Sequence, residues 1–298
     1  MINVSVIIPT YGDPIFLERG INSVLDQTLK EFELIIVDDN DPNSEARFLT
    51  EKIVNKFIYN NKINYIKHDR NRNGAVARNS GYKVSTGKYI SFLDSDDEYC
   101  NDRLQKCFDL MEKSNEKIAG VYTGCEFRRN GKKYNTHKKI KDGNFIVETL
   151  AVTFMFSTGS NIFVRRSVMD ELNGFDEKFL RHQDSEFLVR LFEKYNLKAI
   201  QEVLIIKNHE NFNLPLVSKM IKIKEQYLLK FKYIIDNLTP DKKNYIYKYN
   251  YLSIAEQALR EGQKSLASDY YQKAQFFGLL SIREKFRRYL IPLYNYLN

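Results

Sequence analysis

The run Tyr89-Ile90-Ser91-Phe92-Leu93-Asp94-Ser95-Asp96-Asp97 decides how this chain is read: a short apolar stretch stops abruptly at three carboxylates and a serine. Nearly uninterrupted apolar runs of this length suit strands buried on both faces of a parallel sheet. Moving outward toward the N terminus, the same arrangement recurs. Val4–Ile8 leads into Pro9-Thr10-Tyr11-Gly12-Asp13, Glu33–Val37 into Asp38-Asp39-Asn40, and Ile63–Lys67 into His68-Asp69-Arg70-Asn71. Amphipathic stretches of helical length, Ile15–Leu29, Asn43–Ile58 and Ala75–Ser85, separate these runs. Repeated strand–helix units of this kind predict an open, doubly wound α/β sheet whose ligands lie beyond the carboxyl ends of its strands. Acids gather in the strand-end loops, and crowded carboxylates repel one another unless a cation or a hydrogen-bonding ligand shares the space.

Toward the C terminus the pattern becomes mixed, from Asn101 to about His209. It predicts a helix around Arg103–Lys113, a hairpin turning at Asn130-Gly131, a run at Ser160–Val164, a helix at Asp184–Lys194 and a strand at Lys198–Ile206. Beyond Pro215 helices are expected to the end, at Val217–Asn237, Lys242–Glu261, Ser265–Phe277 and Ile282–Tyr296.

With 298 residues, 43% of them hydrophobic and 28% charged, the chain has material for a buried core and is far from a membrane-embedded composition. No stretch reaches the roughly 18 consecutive apolar residues of a membrane span. The first strand run begins almost at Met1, and no secretory leader is recognised before it. Cys100, Cys107 and Cys125 are odd in number and spaced neither as a zinc set nor as a disulfide framework, so the expected location is the reducing cytoplasm. A formal charge of +8 attracts polyanions of any class. Its distribution is more informative: Lys and Arg accumulate at Arg128–Lys141 and in the C-terminal third, while aspartates occupy N-terminal loops. That division suits an enzyme using a metal to hold an anionic donor.

Several pieces occur in a telling order: Val4-Ser5-Val6-Ile7-Ile8-Pro9-Thr10-Tyr11, Ser23-Val24-Leu25-Asp26-Gln27-Thr28, Phe32-Glu33-Leu34-Ile35-Ile36-Val37-Asp38-Asp39, Gly74 with Ala77-Arg78-Asn79-Ser80-Gly81, and Gly87 through Asp97. In order and spacing they resemble the family 2 glycosyltransferases, which have the GT-A fold. The resemblance covers most of the first 100 residues. It implies a Rossmann-like mixed-sheet α/β domain with a C-terminal helical extension. Residues 1–100 would form the nucleotide-sugar-binding half, 101–214 the acceptor-binding half and 215–298 the helical region. It further implies an inverting enzyme that moves a sugar from a UDP-sugar to a glycan hydroxyl, with Mn2+ or Mg2+ as cofactor. The implied setting is a bacterial surface polysaccharide such as capsule, O-antigen or teichoic acid.

Residue chemistry is consistent with these roles. Two carboxylates one residue apart at a strand end, Asp94 and Asp96, suit a hard divalent cation whose other positions a diphosphate fills, although Asp-Ser-Asp is also an ordinary turn composition. By resemblance Asp96 is the direct ligand, Asp94 faces the ribose or the metal shell, Ser95 lies in the nucleotide site, and Asp97 is spare. Pro9, Thr10 and Tyr11 are likewise implied to line the nucleotide site. Asp39 can accept an imide N–H of uracil or ribose hydroxyl protons, and the resemblance assigns it the base; Asp38 suits an Asx-turn or a helix cap equally well. The segment from Asn73 to Gly81 is expected to open a helix whose first-turn N–H groups, with Arg78, face the donor anion. It lacks both the dinucleotide fingerprint and the Lys-Ser/Thr ending of a P-loop.

Inverting transfer needs a general base on the acceptor side, and Arg181-His182-Gln183-Asp184-Ser185-Glu186-Phe187 resembles the family's helix-start motif, making Asp184 the implied base. Many relatives carry an acid just before this aspartate where this chain has Gln183; the alternative reading of Asp184 is helix capping. Phe175-Asp176-Glu177 after Gly174 matches the usual approach to the acceptor. His209 follows a predicted strand where relatives often place a histidine near the metal, although a lone histidine is more often structural. The basic, aromatic-rich C-terminal helices suit a peripheral site on an anionic membrane with a lipid-linked acceptor, a solvated outer face, or an oligomer contact. Two rivals stand beside the enzyme reading. A nucleic-acid binder explains the charge, but the acidic ligand edge would repel phosphate without metal, so no nucleic-acid partner is expected. An inactive scaffold of the same fold is opposed by the presence of Asp96 and Asp184.

Overall fold

The structure, a computed structural model, describes residues 2–154, 156, 159–208, 215–282, 284 and 285. The N-terminal apolar runs form β1 (Val4–Thr10), β2 (Phe32–Asp38), β3 (Ile63–Lys67) and β4 (Tyr89–Phe92), with α1 (Leu17–Leu25), α2 (Glu45–Val54) and α3 (Gly74–Val84) between them. There follow β5 (Glu98–Tyr99), α4 (Arg103–Glu112), β6 (Ile118–Arg129), β7 (Lys132–His137), α5 (Ile146–Leu150), β8 (Phe163–Arg165), α6 (Arg166–Glu171), α7 (Gln183–Phe192) and β9 (Asn196–Asn208). Helices α8 (Val217–Lys230), α9 (Lys232–Asp236), α10 (Pro240–Arg260) and α11 (Lys264–Phe276) complete the described chain.

Among the described residues nine strands form one mixed sheet in the order β3-β2-β1-β4-β8-β6-β9-β5, with β7 paired to β6. The first four strands run parallel, whereas β8 is antiparallel to both β4 and β6. Val4, Val6 and Ile8 and their partners Leu34 and Ile36 are sealed from solvent, as expected for strands covered on both faces. Helix α1 turns Leu17, Gly20, Ile21 and Val24 inward at helical spacing. The register aligns Thr10 with Asp38 and Asp38 with Lys67, so the loops after β1, β2 and β3 leave the sheet along one edge. Chain order reverses at β1, which lies between β2 and β4; that reversal opens the crevice where doubly wound sheets bind ligands.

Several departures from the sequence expectation have local causes. The expected Val217–Asn237 helix breaks at Phe231, which is fully buried and packs edge-on against Tyr227 at 5.3 Å. The Ser160–Val164 run divides into a 3-10 turn over Gly159–Asn161 and the short β8. The hairpin turns where predicted, with Asn130 and Gly131 both at positive φ, as a two-residue primed turn demands. The Ile282–Tyr296 helix lies largely outside the described residues.

Two compact units result: residues 1–144 with 156–211, and 145–155 with 212–298. The segment 145–155, grouped by sequence with the acceptor half, belongs to the second unit because Tyr227 donates to the Thr149 carbonyl at 3.0 Å and Asn250 to that of Leu150 at 2.9 Å. That unit closes around Leu252, Ile254, Ala255, Ala258, Tyr271 and Ala274. Gly262, at φ +74°, ends α10 so that α11 can pack back against it. No described helix is long and apolar enough to cross a membrane.

Candidate active site

The loop after β4 forms a tight turn, with Asp97 N–H donating to the Asp94 carbonyl at 3.0 Å. Its acids have different surroundings. Asp97 is fully buried: its carboxylate accepts from Ser160 Oγ at 2.6 Å and from the Asn208 N–H at 3.2 Å, and Lys207 Nζ lies 3.6 Å away. Asp94 accepts from Arg78 Nη2 at 2.7 Å, and its own N–H donates to Ser160 Oγ at 2.9 Å. Asp96 has no ion-pair partner among the described residues. Burial, followed by the charges of Asp97 and Asp94, pushes its carboxyl up to about 7 against the pull of Lys207. Asp97, spare in the sequence reading, is thus held structurally, and Asp96 is the acid of the three without an ion pair among the described residues.

Arg78 links segments far apart in sequence. From α3 it reaches Asp94 through one arm of its guanidinium and donates to Gln183 Oε1 at 2.9 Å through the other, with Phe175 below it at 5.7 Å. Gln183 opens α7, and Asp184 is the next residue. Asp184 Oδ1 accepts from the Ser185 N–H at 2.8 Å, serving the first turn of the helix, while Oδ2 has no partner among the described residues. The N-cap position itself is His182, which makes no side-chain cap. Gln183, a departure from the family pattern, is the residue through which Arg78 holds the start of α7.

Each residue of the Ala77–Gly81 motif has a physical task. Ala77 is buried. Asn79 pairs with both backbone groups of Phe175, donating to its carbonyl and accepting from its N–H, each at 2.9 Å. Ser80 Oγ lies 2.9 Å from His68 Nε2. Gly81 passes so close to β1 and β2 that a Cβ there would meet Ile7 Cγ2 at 2.5 Å and Val37 Cγ2 at 3.1 Å. One expectation needs correction. The N–H groups of Ala75 and Val76 do not await an anion, because Asn73 Oδ1 accepts from them at 2.8 and 3.2 Å.

After β2, Asp38 is fully buried and structural, accepting from Tyr65 Oη at 2.6 Å and from Asn40, with Arg47 Nε at 3.0 Å. Asp39 accepts from His68 Nδ1 at 2.6 Å, the Arg72 N–H at 2.8 Å and Asn71 Nδ2 at 3.1 Å. Its backbone N–H donates to the Thr10 carbonyl at 2.9 Å, and Gly12 N–H donates to Asn40 Oδ1 at 2.8 Å, joining the Pro9–Gly12 loop to this one. Thr10 is buried and Tyr11 exposed. Ser95 is half-buried within the Asp94–Asp97 turn. His209 lies outside the described residues, and no cluster of three metal-ligating side chains occurs among those described. Asp94 and Asp96 nonetheless offer carboxylate oxygens at a strand end, those of Asp96 without an ion pair among the described residues, which suits a divalent cation shared with a phosphate ligand. Lys207 was not singled out in the sequence, and His68 and Asn79 stood in quoted segments without an assigned role.

Comparison with known proteins completes the assignment. The profile of glycosyl transferase family 2 matches residues 5–172. The chain belongs to glycosyl transferase family 2. The enzyme is 31% identical over 213 residues to the amylovoran biosynthesis glycosyltransferase AmsB of Erwinia amylovora, covering 70% of this chain and 69% of that one. It is 31% identical over 252 residues to the uncharacterized glycosyltransferase MJ1057 of Methanocaldococcus jannaschii, covering 81% of each. Over 133 residues it is 31% identical to the GalNAc(5)-diNAcBac-PP-undecaprenol beta-1,3-glucosyltransferase of Campylobacter jejuni, covering 44% of this chain and 40% of that one. In fold this glycosyltransferase is similar to S. aureus TarS in complex with UDP-GlcNAc, at TM-score 0.67 and 16% identity, covering 99% of this chain and 89% of that one. It is also similar to the mannosyltransferase PcManGT of Pyrobaculum calidifontis in complex with GDP-Man and Mn2+, at TM-score 0.59 and 14% identity, covering 99% and 85%. These likenesses identify the fold as GT-A.

Proposed function

We propose that this glycosyltransferase inverts the anomeric carbon of a UDP-sugar and passes the sugar to a hydroxyl of a glycan, in the assembly of a bacterial surface polysaccharide. The observation that carries the reading is the Arg78 bridge, which joins the strand-end acid Asp94 to the helix bearing Asp184. Donor side and acceptor side are thereby held by one side chain. In the reaction the acceptor oxygen bonds to the anomeric carbon as the bond to the diphosphate oxygen breaks. Asp184 Oδ2 takes the hydroxyl proton, and Arg78 shifts part of its charge toward the departing diphosphate. Pro9, Thr10, Tyr11, Asp39 and Ser95 would line the nucleotide. Asp96 and Asp94 would hold Mn2+ or Mg2+, with His209 a further candidate; such a cation supplies neutralisation of the diphosphate charge. The reading is supported by the UDP-GlcNAc held by TarS and the Mn2+ held by PcManGT.

The test is transfer from UDP-glucose, UDP-galactose and their N-acetyl forms, with the product's anomeric configuration read by NMR. Asp184→Asn is expected to bind UDP as the wild type does while turnover falls by about 10²- to 10⁴-fold. Turnover within about tenfold of wild type, or a product that retains the donor's configuration, contradicts the reading.

A lipid-linked acceptor at an anionic membrane surface is the companion reading. Phe276, Leu279 and Ile282 are 84%, 92% and 76% exposed, beside the exposed Lys273 and Lys285. Exposed apolar side chains interspersed in sequence with lysines suit the headgroup boundary of an anionic bilayer, and the Campylobacter relative is named for an undecaprenol-linked substrate. The protein is expected to sediment with phosphatidylglycerol vesicles and not with phosphatidylcholine vesicles. A Phe276→Ser, Leu279→Ser, Ile282→Ser variant is expected to stay in solution. Equal sedimentation of wild type and variant removes this reading.

A further inference from the structure

A carboxylate offers about four in-plane acceptor positions, and at Asp39 the protein fills most of them. Oδ1 takes two donors, His68 Nδ1–H and the Arg72 N–H, and Oδ2 takes Asn71 Nδ2–H. Among the described residues one position remains, on Oδ2. Asp39 and His68 are only 2% and 7% exposed, so bulk water does little to rearrange this set. In the neutral imidazole the donor toward Asp39 must be Nδ1–H, because an ionised carboxylate only accepts. Nε2 is then the acceptor, and Ser80 Oγ stands 2.9 Å from it with a hydroxyl proton to give. A directed chain results, from Ser80 to His68 to Asp39, which fixes the tautomer and orientation of the ring and, through it, the face of the carboxylate left open.

We propose that His68 is the positioning residue that sets nucleobase selectivity, a reading that rests on Asp39 receiving the donor's base. With Oδ1 saturated, Asp39 presents a single acceptor on Oδ2, and a base that meets it with the centre of its pairing edge must offer an N–H there. Uracil has one at N3; cytosine has a lone pair there. Cytosine would face the Oδ2 lone pair with its own, leaving two buried acceptors opposed, the kind of mismatch that separates ligands far more strongly than a lost methylene. Without His68, the carboxylate can rotate and accept from the exocyclic amine of cytosine as well as from the imide of uracil.

The experiment is calorimetric titration of UDP and CDP, with Mn2+ present, into wild type, His68→Asn, His68→Gln and Ser80→Ala, with melting temperatures recorded for each. The Asn amide nitrogen stands near the position of imidazole Nδ1 and can still donate to Asp39, whereas that of Gln stands near Nε2 and cannot. The expected preference of wild type for UDP over CDP is about 30-fold or more, retained within about threefold in His68→Asn and reduced about tenfold or more in His68→Gln. A purely structural role would lower both affinities together and leave the ratio unmoved. A folded His68→Gln protein that binds UDP with the wild-type ratio overturns the assignment to His68 alone. A wild type that binds UDP and CDP equally overturns the placement of the base at Asp39 with it. Should His68→Gln fail to fold, Ser80→Ala decides: a ratio reduced about threefold or more supports the chain, and an unchanged ratio overturns it.

Discussion

At the scale of single residues, the site depends on close approaches as much as on charges. Gly74 shows this most directly: a Cβ there would lie 3.0 Å from Arg78 Nη1 and 3.1 Å from Gln183 Oε1. Gly74→Ala leaves every charge in place and favours the helix, since alanine is the better helix former. The two side-chain ends must give by a few tenths of an ångström, which disturbs the geometry by which Arg78 holds the start of α7. Gly74→Ala is therefore expected to keep a melting temperature within a few degrees of wild type while kcat/KM falls about tenfold. Unchanged kcat/KM would mean that the Arg78–Gln183 contact has no part in turnover. The places of Asp39, Asp94 and Asp96 after their strands and of Arg78 and Asp184 in their helices were legible in the sequence, because each stands within a recognisable motif. The contacts of His68, Lys207 and Asn79 were not: their partners Asp39, Asp97 and Phe175 are 29, 110 and 96 positions away, and only the folded sheet unites them. Gln183 read as a missing acid because its partner, Arg78, comes from another element.

At the scale of elements, apolar periodicity placed β1 to β4 and the helices between them to within a few residues: β1, β2 and β4 are covered on both faces and carry a clear apolar run, and β3, the edge strand, was placed by its position in the repeat. The two-residue β5 and the six-residue α6 escaped, being too short for any period to register. Helix α8 carries the clearest energetic anomaly. Lys224 is 2% exposed and has no ion-pair partner among the described residues, and burial alone pulls its ammonium down to about 7. The unfolded chain holds that proton up to the ordinary lysine value of 10.5. Between about pH 7 and 10 the unfolded state therefore binds more protons than the folded state, and stability rises with pH across that window, by on the order of 1 kcal/mol per pH unit from this group. Lys224→Met, similar in length and apolar, is expected to raise stability at pH 7 by roughly 1 kcal/mol or more and to flatten the rise toward pH 10. Denaturant titrations at pH 7 and 9 check this; a Lys224→Met protein that is less stable at both pH values contradicts it.

At the scale of the whole molecule, the chain divides its charge between tasks. The body is basic, with a formal charge of +8, while the crevice edge gathers Asp94, Asp96 and Asp97. Arg78 and Lys207 pair with the first and last of these, and Asp96 has no ion pair among the described residues. The boundary at 145–155 could not be read from composition, since that segment joins the helical unit through hydrogen bonds to residues 78 and 100 positions away. The measurement that bears most directly on the donor site is calorimetric titration of UDP into wild type and Asp96→Asn, first with Mn2+ and then with a chelator. The expected result is UDP binding that needs the cation, weakening about 30-fold or more on chelation, with Asp96→Asn behaving in Mn2+ as the chelated wild type does. UDP binding indifferent both to chelation and to Asp96→Asn, or no UDP binding under any condition, would contradict the placement of the donor at this strand end.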